Sequence, residues 1–293
     1  MVWHRTTARG VLLLLLLGVL PATAHAGEPP NRIIFPVVGK VTYQNDFGDA
    51  RGQGGHQGND IMAPRRALAV AAEGGRVEFH TTSWRAGCML YLHGASGTTY
   101  LYIHLNNDLT RRNDNRGECV PGVAYAPRLR SGQRVRAGQL LGYVGDSGDA
   151  DGISPHLHFE LHPNGGAAVS PFRWLRAARK VLFAAPGYRK QSRLTLFGNA
   201  RSSENGQLAV TVRRVRMADG SRAAVWRRVV LATAPAVVVE RLVNGARRPS
   251  TLANIRVGER VAVTTTVFEP TLRMQLAPPG ALVAERVLLR GSS

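Results

Sequence analysis

Ser154-Pro155-His156-Leu157-His158-Phe159-Glu160, read together with His56-Gln57-Gly58-Asn59-Asp60 about a hundred residues earlier, decides how this chain is read. Residues two apart in an extended strand point to the same face, so His156 and His158 look into one site. At about 3.4 Å per residue their backbones stand roughly 7 Å apart. That is too far for both to bind one ion unless the strand bends. It suits one histidine on a metal and the other at work beside it.

Neutral imidazole and carboxylate are ligands that zinc accepts, and a catalytic zinc site typically takes three protein ligands and keeps a position for water. His56, Asp60 and one of the pair His156/His158 form such a set. An isolated H-x-H or H-x-x-x-D is common by chance. Both together, with a third histidine in Tyr100-Leu101-Tyr102-Ile103-His104-Leu105, are much harder to dismiss.

Over about Ile34 to Trp174 the chain resembles the lysostaphin-type (LytM-type) zinc endopeptidases, which cut peptide bonds in bacterial peptidoglycan. The resemblance is carried by His56-Gln57-Gly58-Asn59-Asp60-Ile61-Met62-Ala63-Pro64, Gly74-Gly75-Arg76-Val77 and Tyr102-Ile103-His104-Leu105. It continues in Val135-Arg136-Ala137-Gly138-Gln139-Leu140-Leu141-Gly142-Tyr143-Val144-Gly145 and ends at His156-Leu157-His158-Phe159-Glu160-Leu161. It implies that His56, Asp60 and His158 ligate Zn²⁺ and that His104 and His156 are the catalytic, non-ligating histidines. One departure is the lead into H-L-H, which here reads Gly152-Ile153-Ser154-Pro155.

Such a ligand set generates electrophile and nucleophile at one centre. Peptide hydrolysis then needs a proton acceptor for water, a donor for the leaving amine and stabilisation of the oxyanion. Imidazole titrates near the working pH, which suits His104 and His156 to these tasks; which does which is open at this stage. Glu160 is either an acceptor behind a ligand histidine or a plain strand-edge carboxylate. Asp149 and Asp151, in Gly148-Asp149-Ala150-Asp151-Gly152, read as turn chemistry. His80, His93 and His162 read as structural or surface residues. The polar, aperiodic stretch from Asn106 to Pro127 reads as a long loop on the rim, expected to wall the substrate groove.

Arg5 and Arg9 precede an apolar run, Val11 to Leu20, and Ala24-His25-Ala26 supplies a small-residue cleavage signal. Residues 1–26 are therefore expected to be a signal peptide, with no transmembrane span once it is removed. The protein is expected to be exported, to the periplasm or beyond. Cys88 and Cys119 are then placed where disulfides persist; a bond between them would tether the 106–127 insertion, and two free thiols are the alternative. The net charge is +19, and Lys40, Lys180 and Lys190 are the only lysines. So basic a surface attracts polyanions, here peptidoglycan and anionic envelope polymers. No recognition helix or aromatic stacking series indicates specific nucleic-acid binding.

Short β-branched and aromatic runs separated by Gly, Asp and Pro predict a mainly β chain. Residues 27–185 are expected to form an antiparallel β-sheet catalytic domain with an open metal groove. Pro171 to Val181 would be a short closing helix. Residues 186–293 contain Leu208–Val212, Ala224–Trp226, Ala236–Val239 and Arg260–Val267 as strands, an expected small all-β sandwich or barrel with an accessory role. The leading function is a secreted zinc-dependent peptidoglycan endopeptidase. A non-catalytic or autoinhibited envelope regulator of another cell-wall hydrolase, and a zinc peptidase acting on proteins, are the alternatives.

Overall fold

The computed structural model describes Met1 and residues 32–290, apart from 53 and 111. The expected signal peptide lies outside the described residues. No helix among the described residues is long and apolar enough to cross a membrane.

The chain is mainly β and is organised around two hydrogen-bonded systems. The first is a six-stranded antiparallel sheet of β1 (Asn59–Met62), β2 (Gly75–His80), β3 (Cys88–Gly94), β4 (Thr99–Leu105), β5 (Arg134–Val135) and β6 (His156–His162), in the order β1-β6-β4-β3-β2-β5. Its strands alternate as a half-covered sheet requires. Leu157, Phe159 and Leu161 of β6, with Tyr100 and Tyr102 of β4, are fully buried on one face. A small sheet of Val37–Val38, Leu68–Val70 and Leu140–Tyr143 adds to the same core. The Tyr102 hydroxyl links the two sheets, accepting from the Ala72 N–H at 2.8 Å and donating to the Val70 carbonyl at 2.9 Å.

The second system is a barrel. Strands β7 (Leu194–Glu204), β8 (Gln207–Met217), β9 (Arg222–Val243), β11 (Arg260–Thr265) and β12 (Val283–Arg290) run in the order β8-β7-β11-β12-β9, and β9 returns to β8 to close the ring. The β9–β12 pair is parallel and the others are antiparallel. Strand β10 (Ala246–Ser250) extends the far half of β9 as a hairpin. Leu196, Val210, Leu231, Val263 and Leu289 fill the interior. The barrel packs on the first system through polar links, those of Gln275 being buried. The Gln275 side chain, in helix α2 (Leu272–Leu276), donates to the carbonyls of Gly138 and Phe183, and the Lys40 N–H donates to the Ala224 carbonyl.

Two local readings change. The closing helix, α1, spans only Phe172–Ala177, because Ala178 is already extended. The segments 224–226 and 236–239 are parts of one 22-residue strand, β9. Pro235 sits between them, where the register against β12 shifts between Thr233 and Val238, and a strand tolerates proline at such an irregularity.

Candidate active site

Strand β6 is the floor of the site. Its polar positions, His156, His158, Glu160 and His162, all face away from the buried side. Register sets their neighbours: His158 lies opposite Asp60 on β1 and Ile103 on β4, and His156 lies opposite Met62. Asp60 is thus delivered to His158 by strand pairing across 98 residues of sequence. His56 arrives from the turn before β1, where its backbone N–H donates to the Asp49 carbonyl. The turn must pass close to His158, and Gly58 permits this. A Cβ there would lie 2.6 Å from the Phe159 carbonyl oxygen and 2.8 Å from His158 Nε2.

The donor atoms converge. His56 Nε2 is 2.9 Å from His158 Nδ1 and 3.2 Å from Asp60 Oδ1, and His158 Nδ1 is 3.1 Å from the same Oδ1. Hydrogen bonds on the far side of each ring decide what these atoms offer. His56 Nδ1 is 2.8 Å from the Asp46 carbonyl oxygen, which only accepts, so Nδ1 carries the proton and Nε2 is bare. His158 Nε2 donates to Glu160 Oε1 at 3.0 Å, which leaves Nδ1 bare. Two lone pairs and a carboxylate oxygen therefore face one point, an arrangement that needs a proton or a cation. Ligands about 2.0–2.1 Å from one tetrahedral zinc stand about 3.3 Å apart, close to the separations here. The set fits zinc, and His56, Asp60 and His158 are the residues among those described that could hold it.

The surrounding charges are consistent with a cation site. Burial opposes ionisation of Asp60, but hydrogen bonds from His158 and His56 outweigh it and hold the carboxyl well below its usual range. Burial likewise opposes the Glu160 anion, yet His158 and His162 bring that carboxyl down to about 2. For His158, burial disfavours the imidazolium, while hydrogen bonds to Asp60 and Glu160 prevail and push its pKa up to about 9. At neutral pH the centre thus favours holding a proton on His158.

His104 and His156 stand beside the triad. Their ring centroids are 5.0 Å apart, and His156 Nε2 is 3.7 Å from Asp60 Oδ1. Each places Nδ1 on a backbone carbonyl, Ser147 at 2.8 Å and Ser154 at 2.9 Å. Both therefore leave Nε2 free of that hydrogen bond. Burial first, then the neighbouring His156, lowers the His104 pKa to about 4, so this ring is neutral near pH 7. Strict alternation from Tyr102 would have turned His104 into the core. A bulge prevents it: between the pairs Cys88/Leu105 and Leu90/Tyr102, β4 has two residues, Ile103 and His104, where β3 has only Met89. His104 takes φ of 60°, a rare conformation for a side-chain-bearing residue, and bulges re-aim side chains in this way.

Sequence reading missed several parts of this site. Arg51 donates to Asp60 Oδ2 at 2.9 Å, leaving Oδ1 for the centre. The Ser147 hydroxyl accepts from the Cys88 N–H and donates to the Leu105 carbonyl, pinning both strands at the bulge, while its carbonyl orients His104. The adjacent Asp146 is fully buried and paired with Arg65, which also engages buried Asp108. Asp149 sits in a short 3₁₀ turn, yet it faces the groove, with Oδ1 3.8 Å from His104 Nε2. Glu160 is the acceptor behind His158, and His162 supports it from the other side at 2.6 Å. His80 and His93 pair with Glu78 away from the centre.

The groove has a volume of about 530 Å³, and its walls include Arg51, Gln57, Ser83, Arg85, Asp149 and Ile153. The insertion at 106–127 was expected to be a wall, and this is corrected: none of its described residues lines the groove. Buried Asp108 gathers the backbone N–H groups of Asp114 and Asn115, folding the loop on itself, and the Cys88–Cys119 disulfide ties it to β3. Among its described residues, Asn113 and Asn115 reach toward the rim, their side chains donating to Asp151 at 2.7 and 2.9 Å.

An antiparallel sheet presenting a His, Asp, His triad with two open imidazole nitrogens beside it defines a candidate metallohydrolase centre. The resemblance read from the sequence holds: residues 123–171 match the model of Peptidase family M23, a segment that includes His156, His158 and Glu160. The chain is similar to an L-Ala--D-Glu endopeptidase of Bacillus subtilis, with 28% identity over 167 residues, 53% of this chain and 46% of the relative. It is also similar to the peptidoglycan DD-endopeptidase ShyC of Vibrio cholerae, with 29% identity over 110 residues, 38% of this chain and 21% of the relative. The matches thus span less than half the length of these curated relatives. Among solved structures, the catalytic domain of lysostaphin from Staphylococcus simulans aligns with a TM-score of 0.35 and 22% identity, over 46% of this chain and 92% of that one.

Proposed function

We propose that this protein is an exported, zinc-dependent endopeptidase that hydrolyses peptide bonds in bacterial peptidoglycan, in stem peptides or cross-links. The observation that carries the reading is the meeting of His56 Nε2, His158 Nδ1 and Asp60 Oδ1 at one point, each offering a lone pair, with Nε2 of His104 and His156 open beside them. In this reading His56, Asp60 and His158 hold Zn²⁺. When bound, the ion polarises a carbonyl and brings the pKa of a water toward about 7.

The chain's own residues do the rest. Glu160 fixes the His158 tautomer and ring plane, and Arg51 fixes Asp60. His104 and His156 are the catalytic residues. With Nδ1–H of each held on a carbonyl, Nε2 is the atom that accepts a proton from the attacking water or, once protonated, donates it to the leaving amine or the oxyanion. His104 meets the substrate uncharged. The open groove admits an extended peptide.

Export suits the Cys88–Cys119 disulfide. A division near residue 186 into a metallopeptidase domain and an accessory β domain accords with the two hydrogen-bonded systems. The test is peptide release from purified peptidoglycan by the mature protein, with and without a chelator, alongside His158→Ala. Chelator-sensitive release that zinc restores and the variant lacks is expected. Tight zinc binding with no release from any wall type would instead favour a regulator of another hydrolase.

A further inference from the structure

Residues 186–293 carry 18 arginines and lysines against 6 acidic residues, so 12 of the chain's 19 net positive charges fall in this stretch. Some of these cations are neutralised: Arg193 pairs with Glu285, Arg241 with Glu259, and Arg247 and Arg286 with Glu240. Arg213, Arg214, Arg260 and Arg290 form no ion pair among the described residues. All four line one open groove of about 650 Å³ on the barrel's outer face, together with Phe197.

Three features make this more than a basic surface. Arg213 is an extra residue on β8 relative to β7, at a point where the register against β9 also shifts, with Val225 and Trp226 of β9 facing the single Arg213, and consecutive Arg213 and Arg214 are both exposed. Arg260 on β11 and Arg290 on β12 stand directly opposite one another, a like-charge pair that destabilises the sheet unless an anion lies between them. Two of the guanidiniums are pre-ordered on aromatic faces, Arg214 over Phe197 at 4.6 Å and Arg213 over Trp226 at 4.7 Å.

We propose that this groove binds a phosphodiester polymer. The four cations are distributed over strands β8, β11 and β12, with β7 between the first two. At about 4.8 Å per strand they span roughly 14 Å, more than one anionic group can occupy. Guanidinium forks match phosphate oxygens bidentately, and a chain of phosphates delivers successive charges along such a span. The proposal is independent of the hydrolytic reading.

The test uses the mature full-length protein with three probes: a short oligomer of propanediol phosphodiesters, polyglutamate, and vesicles of phosphatidylcholine with phosphatidylglycerol. Glutamine keeps the arginine stems over Phe197, so the variant is Arg214→Gln with Arg260→Gln. The control, Arg248→Gln with Arg256→Gln, removes the same charge from exposed positions outside the groove. The phosphodiester oligomer is expected to bind tightest, about tenfold more weakly to the groove variant, with the salt slope reduced by about two. The control should retain most of the affinity. Relief of the Arg260–Arg290 repulsion should leave the groove variant's Tm unchanged or higher, and Arg290→Gln alone provides a second, milder variant. Equal weakening in the control, equal or tighter binding of polyglutamate, preference for the vesicles, or no binding of the oligomer would each overturn the proposal.

Discussion

Zinc and a proton should compete for His158, and the competition has a size. In the cation-free protein the His158 pKa is raised to about 9 by Asp60 and Glu160 against the opposing effect of burial. At pH 7 the Nδ1 lone pair that a metal needs is therefore free in only on the order of one molecule in a hundred, a penalty of roughly 3 kcal/mol. Apparent zinc affinity should rise about tenfold per unit between pH 7 and 8.5 and flatten above 9. Calorimetric titration at pH 7 in two buffers of different ionisation enthalpy should show about one proton released from this site per zinc bound. Glu160→Gln, which removes one of the two groups holding that proton, should shift the plateau to lower pH. It should also loosen zinc by roughly 10–100-fold at the plateau, because the carboxylate makes His158 a better ligand. A pH-independent affinity between pH 7 and 9, with no proton released, would refute the tautomer and charge assignment of the triad.

The same shift bears on stability. A histidine whose pKa is raised on folding stabilises fully below its unfolded value of about 6.5, and that contribution disappears as pH rises through the folded value. The zinc-free protein should therefore lose about 2 kcal/mol between pH 7 and 9, seen as a falling midpoint in urea, while the zinc-loaded protein should not. Replacing His104 by Ala should abolish hydrolysis yet leave zinc uptake intact; zinc loss in that variant would contradict its place outside the ligand set. Because His104 has φ of 60°, His104→Gly should be about 1 kcal/mol more stable than His104→Ala, which a thermal melt can resolve. Gly58→Ala presses on His158 and the Phe159 carbonyl, so zinc affinity should fall at least tenfold with the β circular-dichroism spectrum retained. Unchanged affinity would mean that the turn after His56 yields freely.

What could be read from the sequence was whatever is local. His156 and His158 share a face because a strand has period two, and that period survives into β6 with Leu157, Phe159 and Leu161 on the other side. The mainly β character, the turn at Gly148–Gly152 and a short helix near Trp174 are local for the same reason. Register is not local. Asp60 meets His158 through a strand pairing that motif resemblance could suggest and periodicity could not. His104 is the sharper case: its own strand pattern, continued from Tyr100 and Tyr102, points it into the core, and only the extra residue opposite Met89 turns it outward. That bulge is held by Ser147, 43 residues away, whose neighbour Asp146 is anchored by Arg65, so the geometry of one candidate catalytic nitrogen depends on three segments that nothing in the sequence links. The insertion at 106–127 failed as a groove wall for a related reason. Polar composition and length signal an exposed loop, but the buried carboxylate of Asp108 and the disulfide draw it back against β3, with Asn113 and Asn115 among its described residues reaching toward the rim. Side chains that face a site by alternation can be named from sequence, whereas those that face it by breaking alternation require the partner strand, and this site uses both.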